Sequence, residues 1–302
     1  FKSFGAGNFQ SISLSMIRPA YTERLPKAVT TSVVFASPHS GRYYSADFQR
    51  KSVLDARTLR SSEDAYIDEL IENAPDLGAQ SLLAEYPRAF VDLNRAATEL
   101  DPAVLTGMRR ATIVNPRIAS GLGVIPRVVS NGRVIYNGKL TLTEAHERIT
   151  NIWHPYHDTL QTLMDEAYGS YGEAILIDCH SMPHEALESV GPTGGARPDV
   201  VLGDRFGAAS ASSVVEQIEA AFASAGFKVA RNMPFAGAYI CQTYGRPSRA
   251  QHAVQVEIDR SLYMNETLIR PNGDFEAVQA ALREVVAEVA LIGQGRVPLA
   301  AE

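Results

Sequence analysis

Cysteine is scarce in this chain, with two in 302 residues, Cys179 and Cys241. Two thiols cannot build a disulfide framework, and Cys179 sits in an apolar run that reads as buried core. No stretch of about 18 apolar residues occurs, which excludes a transmembrane helix. Basic residues are outnumbered, 28 Lys and Arg against 34 Asp and Glu, giving a formal charge of −6. That balance removes the bulk cationic footprint of a nucleic-acid binder. Internal repeats, low-complexity tracts and clear linkers are wanting too. So is His-Glu-x-x-His, which means that any zinc site must be assembled from distant segments. Gly-x-Ser-x-Gly is absent, which argues against a serine-hydrolase elbow. The glycines at Gly191–Gly195 lie in no strand–helix frame and match neither a Walker loop nor a dinucleotide fingerprint.

What remains is a globular composition, 45% hydrophobic and 21% charged. Residues 1–15 read as an N-terminal arm or expression scar, and 16–302 as one domain. No long apolar h-region marks the N-terminus, so the compartment reads as cytoplasmic. Strands are expected at 32–37, 80–84, 89–93, 174–179, 199–202, 227–230 and 253–258. Asn131-Gly132 marks a hairpin near Val128–Tyr136 within an irregular excursion over 101–140. Helices are expected from Glu63 (capped by Ser62), from Thr143 to about Tyr168 with a break at Pro155, from Ser212 to Ala225, and from Phe275 to Ile292. Alternating helices and apolar strands make this an α/β sandwich around a mostly parallel buried sheet. Sites in such folds form at the carboxyl ends of strands.

Two histidines stand at such ends. His39 follows an apolar strand in Ser37-Pro38-His39-Ser40-Gly41, and His180 does so in Asp178-Cys179-His180. Each alone fits a histidine bonding its own loop. Together they suit a catalytic zinc ion, which favours two His, one carboxylate and a water. Asp64 or Glu63 can complete the set, although acids at a helix start also answer to the helix dipole alone. Arg88 and Arg95 flank an apolar run, with Asn94 beside the second. Arginine's rigid fork suits a carboxylate, and surface ion pairing is the plainer reading. Glu257 lies inside the apolar run 254–258. A buried carboxylate must be paired, protonated or functional, and desolvation raises its pKa toward the range of a proton shuttle. His154 and His157, three apart on a helix, read as structural.

In order, SPHSG (37–41), SEDAYID (62–68), YPRAFVDLNR (86–95), WHPYH (153–157), LIDCHSMP (176–183), PDVVLGDRFG (198–207), YGRP (244–247) and VEIDRSLYMNE (256–266) resemble the N-formylglutamate amidohydrolase family. The resemblance runs from about Val33 to Tyr263. It implies a three-layer α/β/α sandwich, phosphorylase/hydrolase-like and zinc carboxypeptidase-like, whose mixed, mostly parallel sheet has eight strands. It also implies one Zn2+ per chain and hydrolysis of the amide of an N-acyl amino acid such as N-formyl-L-glutamate. By segment matching, His39, His180 and Asp64 (or Glu63) would hold the metal. Glu257 would be the general acid/base and Arg88 the carbonyl polariser. Asn94, Arg95 and Arg246 would bind the substrate carboxylates. Zinc carboxypeptidases place a ligand Glu three residues after the first His; here that position is Arg42, which cannot ligate. The expected partner is a small carboxylate, with no nucleic acid or membrane. Two other readings stay open: a hydrolase of a different N-acyl amino acid, small peptide or cell-wall fragment, and a catalytically silent binder of carboxylated ligands.

Overall fold

The computed structural model describes residues 18–108, 115–188 and 197–294. Seven strands form the main sheet: β1 (Tyr21–Arg24), β2 (Val33–Ser37), β3 (Gln80–Ala84), β4 (Ala174–Met182), β5 (Val200–Gly203), β6 (Val229–Arg231) and β7 (Gln251–Asp259), in the order β1-β3-β2-β4-β7-β5-β6. The β2, β3, β4 and β7 pairings are parallel, as is β5 with β6, whereas β1 against β3 and β5 against β7 are antiparallel. The sheet is therefore mixed and mostly parallel, with seven strands among the described residues rather than eight.

Helices cover both faces. In chain order they are α1 (Ala46–Lys51), α2 (Ala56–Leu59), α3 (Ile67–Leu70), α4 (Pro116–Ala119), α5 (Leu142–Arg148), α6 (His154–Tyr171), α7 (Ser212–Ser224), α8 (Tyr239–Tyr244) and α9 (Phe275–Ile292). The period-2 alternation of strands sorts the core. Val33 and Phe35 on β2, Ile175, Ile177 and Cys179 on β4, and Val254, Val256 and Ile258 on β7 face the layer of α3, α7 and α9. The intervening Val34 and Ala36, Leu176, and Ala253 face α5, α6 and α8. On that second face, Asp178 and His180 take the next positions of β4, and Gln255 and Glu257 those of β7. The first face stays apolar to the strand ends. The second changes from apolar to polar over its last turns, and this places the site.

Four local expectations need correcting. No helix begins at Glu63: Glu63 is extended, Tyr66 is left-handed at φ 70°, and the helix starts only at Ile67. Asp64 N–H instead donates to His39 O at 3.1 Å, so the backbone ties this segment to the His39 loop. Residues 89–93 are not a strand. Phe90 and Val91 N–H both turn back to Pro87 O, and Asp92 N–H donates to Val124 O across the excursion. Ala89, Val91 and Leu93 are buried by loop packing rather than by a sheet. The helix expected from Thr143 is capped by Thr141, whose side chain accepts from Glu144 N–H while Glu144 accepts from Thr141 N–H. The break at Pro155 takes the form of a π-helical turn over Ile149–Trp153, after which α6 carries the proline in its first turn. The 128–136 hairpin is reduced to a bridge between Val128 and Val134 across left-handed Gly132. Residues 1–15 and Gly191–Gly195 lie outside the described residues.

Candidate metal centre and active site

His39, Asp64 and His180 meet at the carboxyl ends of β2 and β4, each almost fully buried. His180 Nδ1 lies 2.8 Å and His39 Nδ1 3.4 Å from Asp64 Oδ2. One ligand atom from each residue lies within 4.8 Å of the others. His39 Nδ1 is buried and makes no hydrogen bond, a polar atom left without a partner beside Asp64. Two imidazoles and a carboxylate that converge with an orphaned nitrogen fit a divalent metal ion.

The far side of each ring is held as well. His39 Nε2 is 2.7 Å from Asp92 Oδ1, and His180 Nε2 is 3.0 Å from Asp178 Oδ1. The Asp92 carboxylate fixes the tautomer of the His39 ring, whereas Asp178 Oδ1 takes no hydrogen bond and His180 Nε2 meets Asn94 Nδ2 at 3.1 Å. Burial opposes charge on Asp64, but His180 and His39 hold its carboxyl well below the ordinary range. Burial likewise opposes charge on His180, but Asp178 and Asp64 raise its pKa well above the usual value. Glu63 turns away, its carboxylate forked by Arg60 Nε and Nη2 at 2.9 Å each. Arg42, half exposed, pairs with Asp68 and Glu69.

The cluster forms part of the floor of a cavity of about 710 Å3 that Arg88, Arg95 and Glu257 also line. Glu257 is buried, accepts from Gln255 Nε2 at 2.7 Å and has no ion-pair partner among the described residues. Burial above all, with Asp64 adding, raises its pKa to about 7 against His180, Arg88 and Arg260. Arg88 Nε donates to Asp92 Oδ2 at 3.1 Å, so Asp92 connects this arginine to His39. Arg95 Nε is buried without a hydrogen bond, 3.9 Å from Asp92 Oδ2. Burial lowers the Arg95 pKa, and Arg117 and Arg88 lower it further against Asp92.

Residues 31–264 match the family model for N-formylglutamate amidohydrolase. The chain belongs to that family. N-formylglutamate deformylase of Pseudomonas putida is 32% identical over 238 residues, 78% of this chain and 82% of the relative. That of Pseudomonas aeruginosa is 29% identical over 270 residues, 87% and 94% of the two chains. The crystal structure of N-formylglutamate amidohydrolase from Ralstonia eutropha JMP134 superposes with a TM-score of 0.85 at 33% identity, covering 92% of this chain and 99% of that one. As a member of the N-formylglutamate amidohydrolase family, the chain is a hydrolase of carbon–nitrogen bonds other than peptide bonds. Among its described residues no helix is long and apolar enough to cross a membrane.

Other family motifs serve the site from behind. Asn94 lines the cavity, but its Oδ1 accepts from Ile240 N–H at 2.8 Å and its Nδ2 donates to Asp178 Oδ2 at 3.3 Å. It therefore braces the cluster, and Arg95 is the member of the pair left with an unmet donor. His157 Nε2 donates to Leu93 O at 2.8 Å and Trp153 Nε1 to Arg95 O at 2.9 Å, so WHPYH clamps the backbone that carries Arg95. Burial takes the His157 pKa to about 4, keeping it neutral, and His154 is exposed. Arg246 is a correction. It is exposed and bridges Gln251, the first residue of β7, whereas Glu257 lies six residues on, about 20 Å away along the strand. Arg117, on α4 of the excursion, lines the cavity instead. Asp92 was legible by the criterion that singled out Glu257, an acid between apolar neighbours. Arg117 carried no comparable signal.

Proposed function

We propose that the chain hydrolyses the amide of N-formyl-L-glutamate, releasing formate and glutamate, with one Zn2+ held by His39, Asp64 and His180. The carrying observation is the convergence of those three side chains beside Glu257 in a cavity walled by arginines. The names of the relatives supply the substrate. A bound zinc ion would act as a Lewis acid, bringing the pKa of a coordinated water toward neutrality. Glu257, with a pKa near 7, takes the proton of the attacking water and returns it to the leaving amine. Arg88 faces the cavity and stabilises negative charge developing on the carbonyl oxygen. Arg95 receives the α-carboxylate on its unmet donor, and Arg117 at the mouth receives the side-chain carboxylate. Fixing both ends orients the amide for attack.

The test is a hydrolysis screen over N-formyl, N-acetyl and dipeptide substrates with protein stripped of metal and with protein reloaded with zinc. Zinc-dependent release of formate, greatest for N-formylglutamate, is expected. Faster turnover of another acyl group would move the substrate assignment. Anion binding without turnover of any substrate would favour the silent binder.

A further inference from the structure

Each of the three clustered side chains has a partner behind it, and the partners differ in charge. Behind His39 and His180 stand the carboxylates Asp92 and Asp178. Behind Asp64 stands a cation, Arg260, itself nine-tenths buried. Arg260 Nη2 donates to Asp64 Oδ1 at 2.8 Å. The rest of its fork is spent on fixed points: Nε donates to Ser181 Oγ at 3.0 Å, Nη2 to Ser181 O at 3.2 Å, and Nη1 to Ser61 O at 3.3 Å. Ser181 follows His180 on β4, and Ser61 lies in the turn that leads into Asp64. One guanidinium thus joins the strand carrying one histidine to the loop carrying the acid.

We infer that Arg260 is a positioning residue for Asp64, committing Oδ1 to itself so that Oδ2 alone is presented to His39, His180 and a metal ion. The division of the carboxylate is visible in the distances: Oδ1 meets Arg260, and Oδ2 meets both histidines. A carboxylate free to rotate could offer either oxygen or both. One locked by a planar fork from the turn that follows β7 has one presentation. The cation also counters repulsion among Asp64, Asp92, Asp178 and Glu257, all buried at one end of the sheet. A lysine would keep that charge but lose the fork. This inference rests on the metal reading above and adds to it a residue that acts on the site through Asp64.

The experiment measures zinc affinity of the metal-free full chain by competition with a chromophoric chelator, alongside its thermal unfolding without metal. Arg260→Gln should weaken zinc binding by about 10- to 100-fold, the usual effect of removing a partner behind a metal ligand. Arg260→Lys should recover part of that loss. Ser181→Ala, which frees one edge of the fork, should weaken binding by less and add nothing in the Arg260→Gln background. A folded Arg260→Gln protein with wild-type zinc affinity would overturn the inference. So would a loss of affinity that Lys does not relieve, with a fall in metal-free melting temperature that accounts for it. If Arg260→Gln does not fold, wild-type affinity in both Arg260→Lys and Ser181→Ala overturns the inference, and graded losses support it. Wild-type protein that takes up no zinc defeats the metal reading itself, a different result from variants that bind zinc as the wild type does.

Discussion

His180 and Glu257 are register partners on adjacent parallel strands, so the imidazole and the carboxylate leave one face of the sheet side by side. One strand pairing thus sets a nitrogen of the candidate metal cluster next to the proposed proton acceptor. Glu257→Gln keeps the volume and the neighbouring Gln255. It should retain the fold and the zinc while the chemical step falls by at least about 100-fold, the low end for a positioned general base. Single-turnover rates on zinc-loaded protein check this; near-wild-type turnover would remove Glu257 from the chemistry.

The same residue predicts a pH dependence of stability. The folded-state pKa of about 7 stands above the ordinary 4.5. The folded chain therefore holds a proton on Glu257 that the unfolded chain has released. That contribution is fully present below about pH 4.5 and is lost as pH rises through about 7, a change of about 3 kcal/mol. Glutamine does not titrate. Metal-free Glu257→Gln should therefore gain stability relative to wild type between pH 5 and pH 8. Urea unfolding of both proteins with chelator present measures the gap, and an equal gap at both pH values would contradict the desolvation argument.

Asp64 and Glu63 offer a direct contrast, because neighbouring acids face opposite ways. His39→Ala, Asp64→Ala and His180→Ala should each lose zinc and activity, since three protein ligands leave no spare. Glu63→Ala frees Arg60 from its forked partner but should keep stoichiometric zinc. Metal content after desalting decides the matter. Zinc lost from Glu63→Ala and retained by Asp64→Ala would reverse the assignment.

How much of this was legible follows from where each signal lies. Strands β2, β3, β4 and β7 announce themselves because both faces are buried, and an unbroken apolar run has few other uses. His39, His180 and Glu257 stand out as polar groups ending or interrupting those runs. The 89–93 segment misled for the same reason: Val91 and Leu93 are as buried as strand residues, yet loops of the excursion cover them. Edge strand β1 stayed hidden because it is four residues long and half exposed. Arg246 and Arg117 show the limit most plainly. One sits in a motif yet lies at the wrong end of β7, and the other sits in irregular chain yet reaches the cavity. Which arginine enters a cavity depends on chain reversals that hydrophobic pattern does not encode.

The arginines make the last prediction, on how substrate charge is read. Arg95 is buried with an unmet donor and lies near two other cations, so an anion there would satisfy a bond and relieve repulsion together. A charge-assisted bond at such a site is worth roughly 1.5–3 kcal/mol. Arg95→Ala should therefore weaken N-formylglutamate by about ten- to a hundredfold, and its α-amide far less. Arg117 is exposed, where solvent screens the interaction, so Arg117→Ala should cost only severalfold. That smaller loss should appear with N-formylglutamate and vanish with N-formyl amino acids whose side chains are neutral. Measured as kcat/KM over the four enzyme–substrate combinations, the two variants separate the two carboxylates. Equal losses for acid and α-amide in Arg95→Ala would return Arg95 to a structural part. Equal losses for charged and neutral side chains in Arg117→Ala would remove Arg117 from recognition, because an arginine that reads a carboxylate must distinguish its presence from its absence.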